Sequence, residues 1–327
     1  MKMRKILSIV LAAAMLMTAL CLASCHSDKY ADITARVYTL KGPTGMGMSK
    51  LMSDNENGKT EMKYDFNVVS SPTEISPEVI GGRFDIAAVP VNLAATLFNK
   101  GADISLVAVN TLGVLYVLEN GNEINSISDL RGKTIYATGQ GSTPEYIFNY
   151  LLDKNGIGRD EVEFIFCSDG SEVASNLVAG KASVGLIPEP NVTAALSADT
   201  DGDLRIALDI TAEWNKVSDT PVVQGVIIAS NKFISENPGA IDEFLKEYKN
   251  SVEYINDNIE EASALIEKYG IVPKAAVAKK ALPNCNICCY TGAKAVEMAN
   301  DMMNVLYSAN PSSIGGSVPG DAFWYEK

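Results

Sequence analysis

GRFDIAAVP, residues 82–90, is followed 98 residues later by the similar segment GKASVGLIP, residues 180–188. A second pair of segments has nearly the same spacing, since RVYTLKG at residues 36–42 corresponds to KTIYATG at residues 133–139, an offset of 97. Two pairs at nearly one offset indicate an internal repeat rather than chance similarity. In each copy the apolar runs end at glycine or proline turns, which predicts two similar α/β lobes.

Between and after these segments, apolar runs typical of buried strands alternate with helical patterns. Continuous apolar strands that alternate with helices predict mostly parallel sheets covered on both faces. The predicted strands are residues 66–69, 85–89, 104–109, 134–137, 163–166, 183–187 and 204–208. After one further strand, VVQGVIIAS at residues 222–230, the chain is mostly helical. The predicted helices are residues 73–81, 92–100, 262–269, 293–308 and a long helix with apolar positions from Ile241 to Ile255.

A glycine-rich turn, GPTGMG at residues 42–47, follows the first predicted strand. Glycine lets backbone N–H groups approach a ligand, and a following helix directs its positive end into the same space. Gly42 and Gly47 have the spacing of a nucleotide-binding loop, but Met48 stands where that motif has its phosphate-binding lysine. The turn is therefore predicted to bind a small molecule, and a plain glycine-rich connection is the alternative.

The N-terminus has the pattern of an export signal, with three cations before an apolar run at residues 6–22. The run ends in LASC, residues 22–25, which closely resembles a bacterial lipoprotein cleavage box in which Cys25 becomes the lipidated first residue. This predicts a signal peptide over residues 1–24 and a polar tether over residues 25–35. An uncleaved membrane anchor is the alternative, and both place the folded part outside the cytoplasmic membrane.

Loss of residues 1–24 removes three cations and leaves 24 Lys and Arg against 40 Asp and Glu, a net charge of −16. So acidic a chain is a poor partner for nucleic acid or an anionic lipid surface. The charges are dispersed and 47% of the residues are hydrophobic, which is typical of a solvated globular surface. We therefore expect a monomer that binds no nucleic acid and meets the membrane only through its lipid.

The chemistry-bearing residues argue against several kinds of enzyme. The sole histidine, His26, lies in the tether, which excludes Ser-His-Asp and Cys-His catalysis in the folded part. The cluster Cys285, Cys288 and Cys289 needs a fourth ligand to hold zinc, and only Cys167 could supply it. A metal site, a disulfide through Cys167 or Cys285, and buried apolar cysteine remain open, and the last is favoured. We predict no metal, no cofactor and no catalytic residue.

Four segments, taken in order, carry a resemblance to a known family. They are SISDLRGKTIYA (126–137), LVAGKASVGLIPEP (177–190), PVVQGVIIASNKF (221–233) and NPSSIGGSVPGDAFWYEK (310–327). With them the chain resembles the solute-binding lipoproteins of ABC importers in the nitrate, sulfonate/taurine and thiamine-pyrimidine-precursor group. The resemblance implies a two-lobed clamp of the periplasmic-binding-protein type II class, which holds its ligand between the lobes and crosses the hinge twice.

The resemblance also implies where the lobes divide. It places the crossings near residues 114–118 and 220–224, which assigns residues 36–115 with 222–327 to one lobe and residues 116–221 to the other. The implied function is delivery of a small solute to an ABC permease from the outer face of the bacterial cytoplasmic membrane. The alternatives are a sensor or protein-binding lipoprotein of the same fold and an enzyme like the pyrimidine-precursor synthases, which depend on histidine and a lysine-bound cofactor.

The resemblance and the repeated turns point to the same four loops as the ligand site, because open α/β sheets bind ligands at the carboxyl ends of their strands. The predicted residues are Thr44, Gly45, Met46, Val91, Asn92, Gly141, Ser142, Thr143 and Glu189. Trp214 is added as a residue that could stack on an aromatic ligand, and packing is its alternative. For Glu189 the alternative is a Glu-Pro pair that occurs in this family whatever the ligand.

The charge of these loops predicts the class of ligand. They contain no arginine, one lysine at their edge (Lys41) and the acidic Glu189. Repulsion between an anion and Glu189 about 4 Å away amounts to about 4 kcal/mol at an effective dielectric of about 20. The contact of an anion with a helix N-terminus contributes less, at most about 2 kcal/mol. We therefore predict a neutral or zwitterionic organic ligand with an N–H donor for Glu189.

Overall fold

Residues 29–325 are described here from a computed structural model of the protein. The predicted signal peptide and residues 25–28 of the predicted tether, which include Cys25, lie outside these residues. The strands are β1 (Thr34–Leu40), β2 (Lys63–Val69), β3 (Ile86–Pro90), β4 (Ile104–Leu112), β5 (Leu115–Asn120), β6 (Thr134–Ala137), β7 (Glu163–Phe166), β8 (Val184–Pro188), β9 (Leu204–Asp209), β10 (Val223–Ser230) and β11 (Ile287–Tyr290).

Helices cover the sheets formed by these strands. They are α1 (Pro43–Met46), α2 (Ser49–Glu56), α3 (Pro72–Ile80), α4 (Val91–Asn99), α5 (Thr143–Lys154), α6 (Gly170–Val178), α7 (Asn191–Ala198), α8 (Ile210–Trp214), α9 (Asn231–Glu236), α10 (Ala240–Asp257), α11 (Ile259–Lys268), α12 (Ala275–Ala281) and α13 (Gly292–Ala309). Three-residue and four-residue 3₁₀ turns at Leu282–Asn284 and Pro311–Ile314 complete the part of the chain used below.

The strands form two sheets with the same internal order. The first sheet runs β11-β4-β10-β3-β1-β2, and the second, taken in the corresponding direction, runs β9-β5-β8-β6-β7. Tyr38 pairs with Ala87 in the first sheet, and Tyr136 pairs with Gly185 in the second, so both partners are displaced by 98 residues. The repeat seen in the sequence is therefore a repeat of strand pairing. We call each sheet with its helices a lobe, lobe one holding the first sheet.

The chain passes between the lobes twice. β4 ends at Leu112 in lobe one and β5 begins at Leu115 in lobe two, while β9 of lobe two leads through α8 to β10 of lobe one. The entering strands start beside the carboxyl end of a neighbour: Gly225 of β10 pairs with Pro90, and Leu115 of β5 pairs with Pro188. The two crossings therefore lie at the carboxyl ends of β3 and β8.

These crossing strands make both sheets mixed, so the prediction of mostly parallel sheets is wrong in this respect. Only the β1–β2 and β1–β3 pairings in lobe one, and the β6–β7 and β6–β8 pairings in lobe two, are parallel. A parallel neighbour needs a crossover back to the amino end of the sheet. Because β5 and β10 arrive from the other lobe at the carboxyl end, they run antiparallel to β8 and β3.

The C-terminal helices cover both faces of the first sheet. The predicted apolar stripe of α10 is buried, and Ile241, Phe244 and Tyr248 have no exposed surface. Met302 and Met303 of α13 are likewise fully buried, as core residues on the other face. An amphipathic helix is stabilised mainly by such tertiary packing rather than by intrinsic propensity. Within residues 29–325, no helix is both long and apolar enough to cross a membrane.

The described cysteines are free thiols in this structure. Cys285 is fully buried, and Cys288 and Cys289 lie in the short edge strand β11. Burial raises the pKa of Cys288 to about 12 and that of Cys289 to about 11. Thiols with such pKa values stay protonated at neutral pH, which makes them poor nucleophiles.

Candidate functional site

The four predicted loops share one edge of the molecule because each follows a strand at its carboxyl end. They follow β1 and β3 in lobe one and β6 and β8 in lobe two. The hinge crossings lie at the same edge, since they adjoin the ends of β3 and β8. Strand topology alone therefore brings the loops of the two lobes face to face, as expected for ligand sites in α/β sheets.

Asn92 of lobe one makes the first contact between these loops. The Thr143 hydroxyl donates a hydrogen bond to Asn92 Oδ1 at 2.9 Å, and Asn92 Nδ2 lies 3.5 Å from the Gly141 carbonyl oxygen. Thr143 is fully buried and Asn92 is 5% exposed. Three of the predicted site residues from two lobes thus meet at the N-terminal turns of α4 and α5.

Glu189 of lobe two makes the second contact. Its carboxylate accepts from the Thr193 backbone N–H at 3.0 Å and from the Thr193 hydroxyl at 2.9 Å, which caps the start of α7. Asn284 of lobe one brings its Nδ2 to 3.5 Å from Glu189 Oε1. Glu189 is 1% exposed, and this burial raises its pKa, opposed by the hydrogen bonds from Thr193 and Asn284.

The surroundings of Glu189 are acidic. Tyr116 on β5 has its pKa raised to about 12, first by burial and then by the neighbouring carboxylates of Asp209 and Glu189. Pro190 faces Gly42 of the first loop, where a Cβ built on Gly42 would lie 3.8 Å from Pro190 Cδ. This part of the cleft can accept hydrogen bonds, and its field favours donors and cations over anions.

The first glycine-rich loop is folded tightly against its own strand. A Cβ on Gly45 would lie only 2.2 Å from the Leu40 carbonyl oxygen, so the loop needs glycine at this point. The N–H groups of Gly45 and Met46 both donate to the Gly42 carbonyl at 3.1 Å. The Thr44 carbonyl accepts from Asn110 Nδ2 at 3.2 Å. The Gly47 N–H donates to the Gly45 carbonyl, so in this conformation three of the loop's N–H groups are engaged within the loop.

In the corresponding turn of lobe two, some polar groups also form hydrogen bonds within the turn and the helix that follows it. Ser142 lies at the N-terminus of α5, but its hydroxyl donates to the Gly139 carbonyl at 2.6 Å rather than capping the helix. The Gly141 N–H donates to Glu145 Oε2 at 2.7 Å. An acidic group of a ligand at this helix start would therefore meet the negative charge of Glu145.

Three predicted residues lie in the core rather than on the cleft surface. Met46, Val91 and Trp214 have no exposed surface. The Trp214 ring lies 4.8 Å from that of Tyr150, and its indole N–H donates to the Thr220 carbonyl at 2.6 Å. In this structure the ring of Trp214 is not accessible to a ligand, and the residue supports the turn before β10.

Sequence reasoning missed Asn284, Tyr116 and Asn110. Asn284 stands beside Cys285 in a segment whose only sequence signal is its cysteines, and it reaches the site because a 3₁₀ turn places it opposite α7. Tyr116 lies in β5, a segment for which the sequence predicts only a hinge crossing. Asn110, fully buried on β4, supports the first loop. No local pattern marks these residues, because their partners lie far away in the sequence.

The sequence profile of the family described as NMT1/THI5 like matches residues 70–262, more than half of the chain. The chain belongs to the NMT1/THI5-like family. A search of curated proteins finds no match.

Solved structures show that this NMT1/THI5-like chain has the fold expected from the resemblance. An ABC transporter protein of Parabacteroides distasonis is 23% identical, with a TM-score of 0.76 over 90% of this chain and 100% of that one. The periplasmic aliphatic sulphonate binding protein SsuA from Escherichia coli is 17% identical, with a TM-score of 0.72 over 90% and 92%. The nitrate-binding protein NrtA from Synechocystis PCC 6803 is 12% identical, with a TM-score of 0.56 over 74% and 67%. The two-lobed type II fold is confirmed.

Proposed function

We propose that the protein captures a small organic solute between its lobes and delivers it to an ABC importer. The observation that carries this proposal is the pair of contacts between lobes, Asn92 with Thr143 and Asn284 with Glu189, at the edge where both hinge crossings lie. Closure of two lobes about such a hinge buries a ligand from solvent. The proposal has support from the fold, which is shared with binding proteins named for sulphonate and nitrate.

In this function the lobes are residues 36–115 with 222–327 and residues 116–221, and the protein acts as a monomer without a cofactor or a catalytic residue. X-ray scattering tests the clamp, because the radius of gyration should fall when a ligand saturates the cleft. The ligand itself can be found by mass spectrometry of small molecules released on denaturation of the purified protein. If a partner protein copurifies and the radius of gyration does not change with any ligand, the result would instead favour a protein-binding lipoprotein.

The proposed ligand is neutral or zwitterionic and carries an amine or ring N–H for Glu189. Support comes from the buried carboxylate of Glu189, from nearby Asp209, and from the absence of arginine in the four predicted loops. The alternative is that Glu189 only caps α7 through Thr193. Because Asn284 also approaches this carboxylate, a ligand donor between the lobes has an acceptor within reach.

Titration calorimetry distinguishes the ligand classes. The panel is nitrate, sulfate, taurine, an aliphatic sulfonate and an aminomethyl-pyrimidine, each measured with wild type and with Glu189→Gln. We expect the nitrogen-bearing organic compounds to bind, and Glu189→Gln to weaken them. Tight binding of sulfate or nitrate that does not change in Glu189→Gln would refute the proposed ligand class.

We further propose that lipid on Cys25 holds the protein at the outer face of the bacterial cytoplasmic membrane, near its permease. The support is the LASC sequence at residues 22–25 after an apolar run. Membrane fractionation of Cys25→Ser tests it. We expect the variant to leave the membrane fraction, and retention there would contradict the lipid anchor.

A further inference from the structure

The C-terminal turn at Pro311–Ile314 lies against α4, the helix that carries Asn92. Asn92 Nδ2 donates to the Ser313 carbonyl at 3.3 Å, and the Thr96 hydroxyl lies 3.5 Å from the same oxygen. Gly315 ends the turn with a φ of +82°, and a Cβ there would lie 3.1 Å from Thr96 Cα. Residues 311–317, which we call the tail, therefore approach α4 closely and place a carbonyl oxygen at Asn92.

This carbonyl decides which way the Asn92 amide faces. An asparagine side chain has an acceptor on one branch and two donors on the other. Because the Ser313 carbonyl accepts only, the amino group must face it, with the Gly141 carbonyl also within 3.5 Å. The oxygen of Asn92 is then left for the Thr143 hydroxyl of lobe two. The tail thus determines that Asn92 accepts and Thr143 donates in this buried contact between lobes.

We propose that the turn at Pro311–Ile314 is a positioning element of the clamp, which orients Asn92 so that it latches lobe two through Thr143. This inference rests on the proposed closure of two lobes around a ligand. Asn92 and Thr143 are almost completely buried, and opening the lobes breaks their hydrogen bond. In contrast, the exposed contact of Lys280 Nζ with Ser197 Oγ at 3.5 Å is long and open to water, so it adds little to closure.

Two substitutions distinguish the hydrogen bond between Asn92 and Thr143 from the orientation of Asn92 by the tail. Thr143→Val keeps the shape of the side chain but removes the donor to Asn92. Asn92→Asp keeps an acceptor for Thr143 but gives the Ser313 and Gly141 carbonyls a charged acceptor instead of a donor. If only an acceptor mattered, Asn92→Asp would keep the lobes closed. If the tail orients Asn92, both substitutions open them.

Asn99 supplies the matched control. It lies on the same helix and binds the same tail, because Asn99 Nδ2 donates to the carbonyls of Ile314 and Ser317 at 2.7 Å. These bonds lie within lobe one. Asn99→Ala therefore removes hydrogen bonds between this helix and the tail, but it keeps the bond from Asn92 to the Ser313 carbonyl and removes no contact to lobe two. Circular dichroism establishes that each variant is folded.

The experiment is hydrogen exchange of residues 138–146 in the ligand-free protein, supported by X-ray scattering. Loss of one such hydrogen bond should raise the open-to-closed ratio, and with it the exchange rate, roughly two- to tenfold in Thr143→Val. We expect at least the same increase in Asn92→Asp and none in Asn99→Ala. Release of a bound ligand should accelerate by the same factor.

The outcomes separate this inference from the proposed function. Opening is measured without ligand, so variants that open while wild type binds no solute would contradict the proposed function and leave the latch standing. Unchanged exchange in Thr143→Val would overturn the latch. Normal exchange in Asn92→Asp, or equal acceleration in Asn99→Ala, would overturn the positioning role of the tail.

Discussion

The two lobes share their strand order, but in each sheet an ion pair joins a different pair of neighbouring strands. In lobe one, Arg36 at the start of β1 binds Asp85 before β3, with Nη2 to Oδ1 at 2.8 Å and Nε to Oδ2 at 3.0 Å. The strand pairing, in which Tyr136 and Gly185 correspond to Tyr38 and Ala87 with an offset of 98, places Thr134 and Ser183 at these two positions in lobe two. Lobe two therefore has no counterpart of this ion pair between its parallel strands β6 and β8.

In lobe two an ion pair joins the antiparallel strands β5 and β9 instead. Glu119 on the crossing strand β5 accepts from Arg205 Nη2 on β9 at 2.6 Å, and also from the N–H groups of Glu123 and Ile124. Glu119 is only 4% exposed. The difference teaches that an internal repeat preserves the topology of a sheet, while the polar contacts that secure it can move to another pair of strands.

The largest expected effect concerns the two tryptophans, one in each lobe. Trp214→Ala removes a fully buried ring of lobe two and should lower the free energy of unfolding by about 3–5 kcal/mol. Trp324→Ala in lobe one should cost less, because Trp324 is only partly buried. Urea unfolding followed by circular dichroism measures both. Little loss of stability in Trp214→Ala, together with loss of ligand binding, would instead support ligand stacking.

A smaller effect tests the two ion pairs. Glu119→Ala removes an anion that Arg205 and two N–H groups surround, and should destabilise lobe two by about 3 kcal/mol. Asp85→Ala should destabilise lobe one by less, because the Arg36 side chain is 43% exposed and water can solvate it.

Each lobe can be followed separately, since the sequence has only two tryptophans. In a Trp324→Phe background the fluorescence reports lobe two, and in a Trp214→Phe background it reports lobe one. Equal destabilisation of both lobes by Glu119→Ala would show that the lobes unfold as one unit and that the comparison fails.

Most of the fold could be predicted from the sequence because its strands are short apolar runs with clear ends. β6 and β7 have the predicted bounds, and the predicted helix at residues 73–81 lies one residue from α3. β5 and β11 were missed as strands. β11 has four residues, includes two cysteines and pairs with β4 about 180 positions away, so its strand character depends on a distant partner.

The candidate site could be predicted only to the level of loops. Strand ends locate those loops, and Asn92, Gly141 and Thr143 do come together. Which side chains face the cleft depends on the pitch of each short helix and on partners from the C-terminal part. For this reason Val91 lies in the core although its neighbour Asn92 reaches lobe two, and Asn284 gave no signal of its own.

The repeated glycine turns provide a third, smaller test. A Cβ at Gly45 in lobe one would meet the Leu40 carbonyl at 2.2 Å, so Gly45→Ala must displace the backbone and should cost about 1–3 kcal/mol. Gly141 in lobe two has open space but a φ of +70°, so Gly141→Ala should cost about 1 kcal/mol. Urea unfolding measures both, and a greater loss in Gly141→Ala would reverse the comparison.

The smallest expected effect concerns equivalent positions after the proline turns, Val91 in lobe one and Glu189 in lobe two. Burial raises the pKa of Glu189 above its ordinary value of 4.5, so the folded state binds this proton more readily than the unfolded state. Stability from this group is therefore present at low pH and is lost as the pH rises through the raised pKa. Glu189→Gln cannot titrate and should not show this loss.

The measurement is urea unfolding of wild type and Glu189→Gln at several pH values from below 4.5 to neutral. Burial also raises the pKa of Glu247, and comparison of the two proteins cancels that contribution. We expect wild type to become less stable relative to Glu189→Gln as the pH rises. A ligand with an N–H donor should offset the loss above the raised pKa, where the Glu189 carboxylate is charged. Parallel pH profiles of the two proteins would show that Glu189 is a helix cap whose charge the fold tolerates without cost, and would leave lobe two no more sensitive to pH at this position than lobe one.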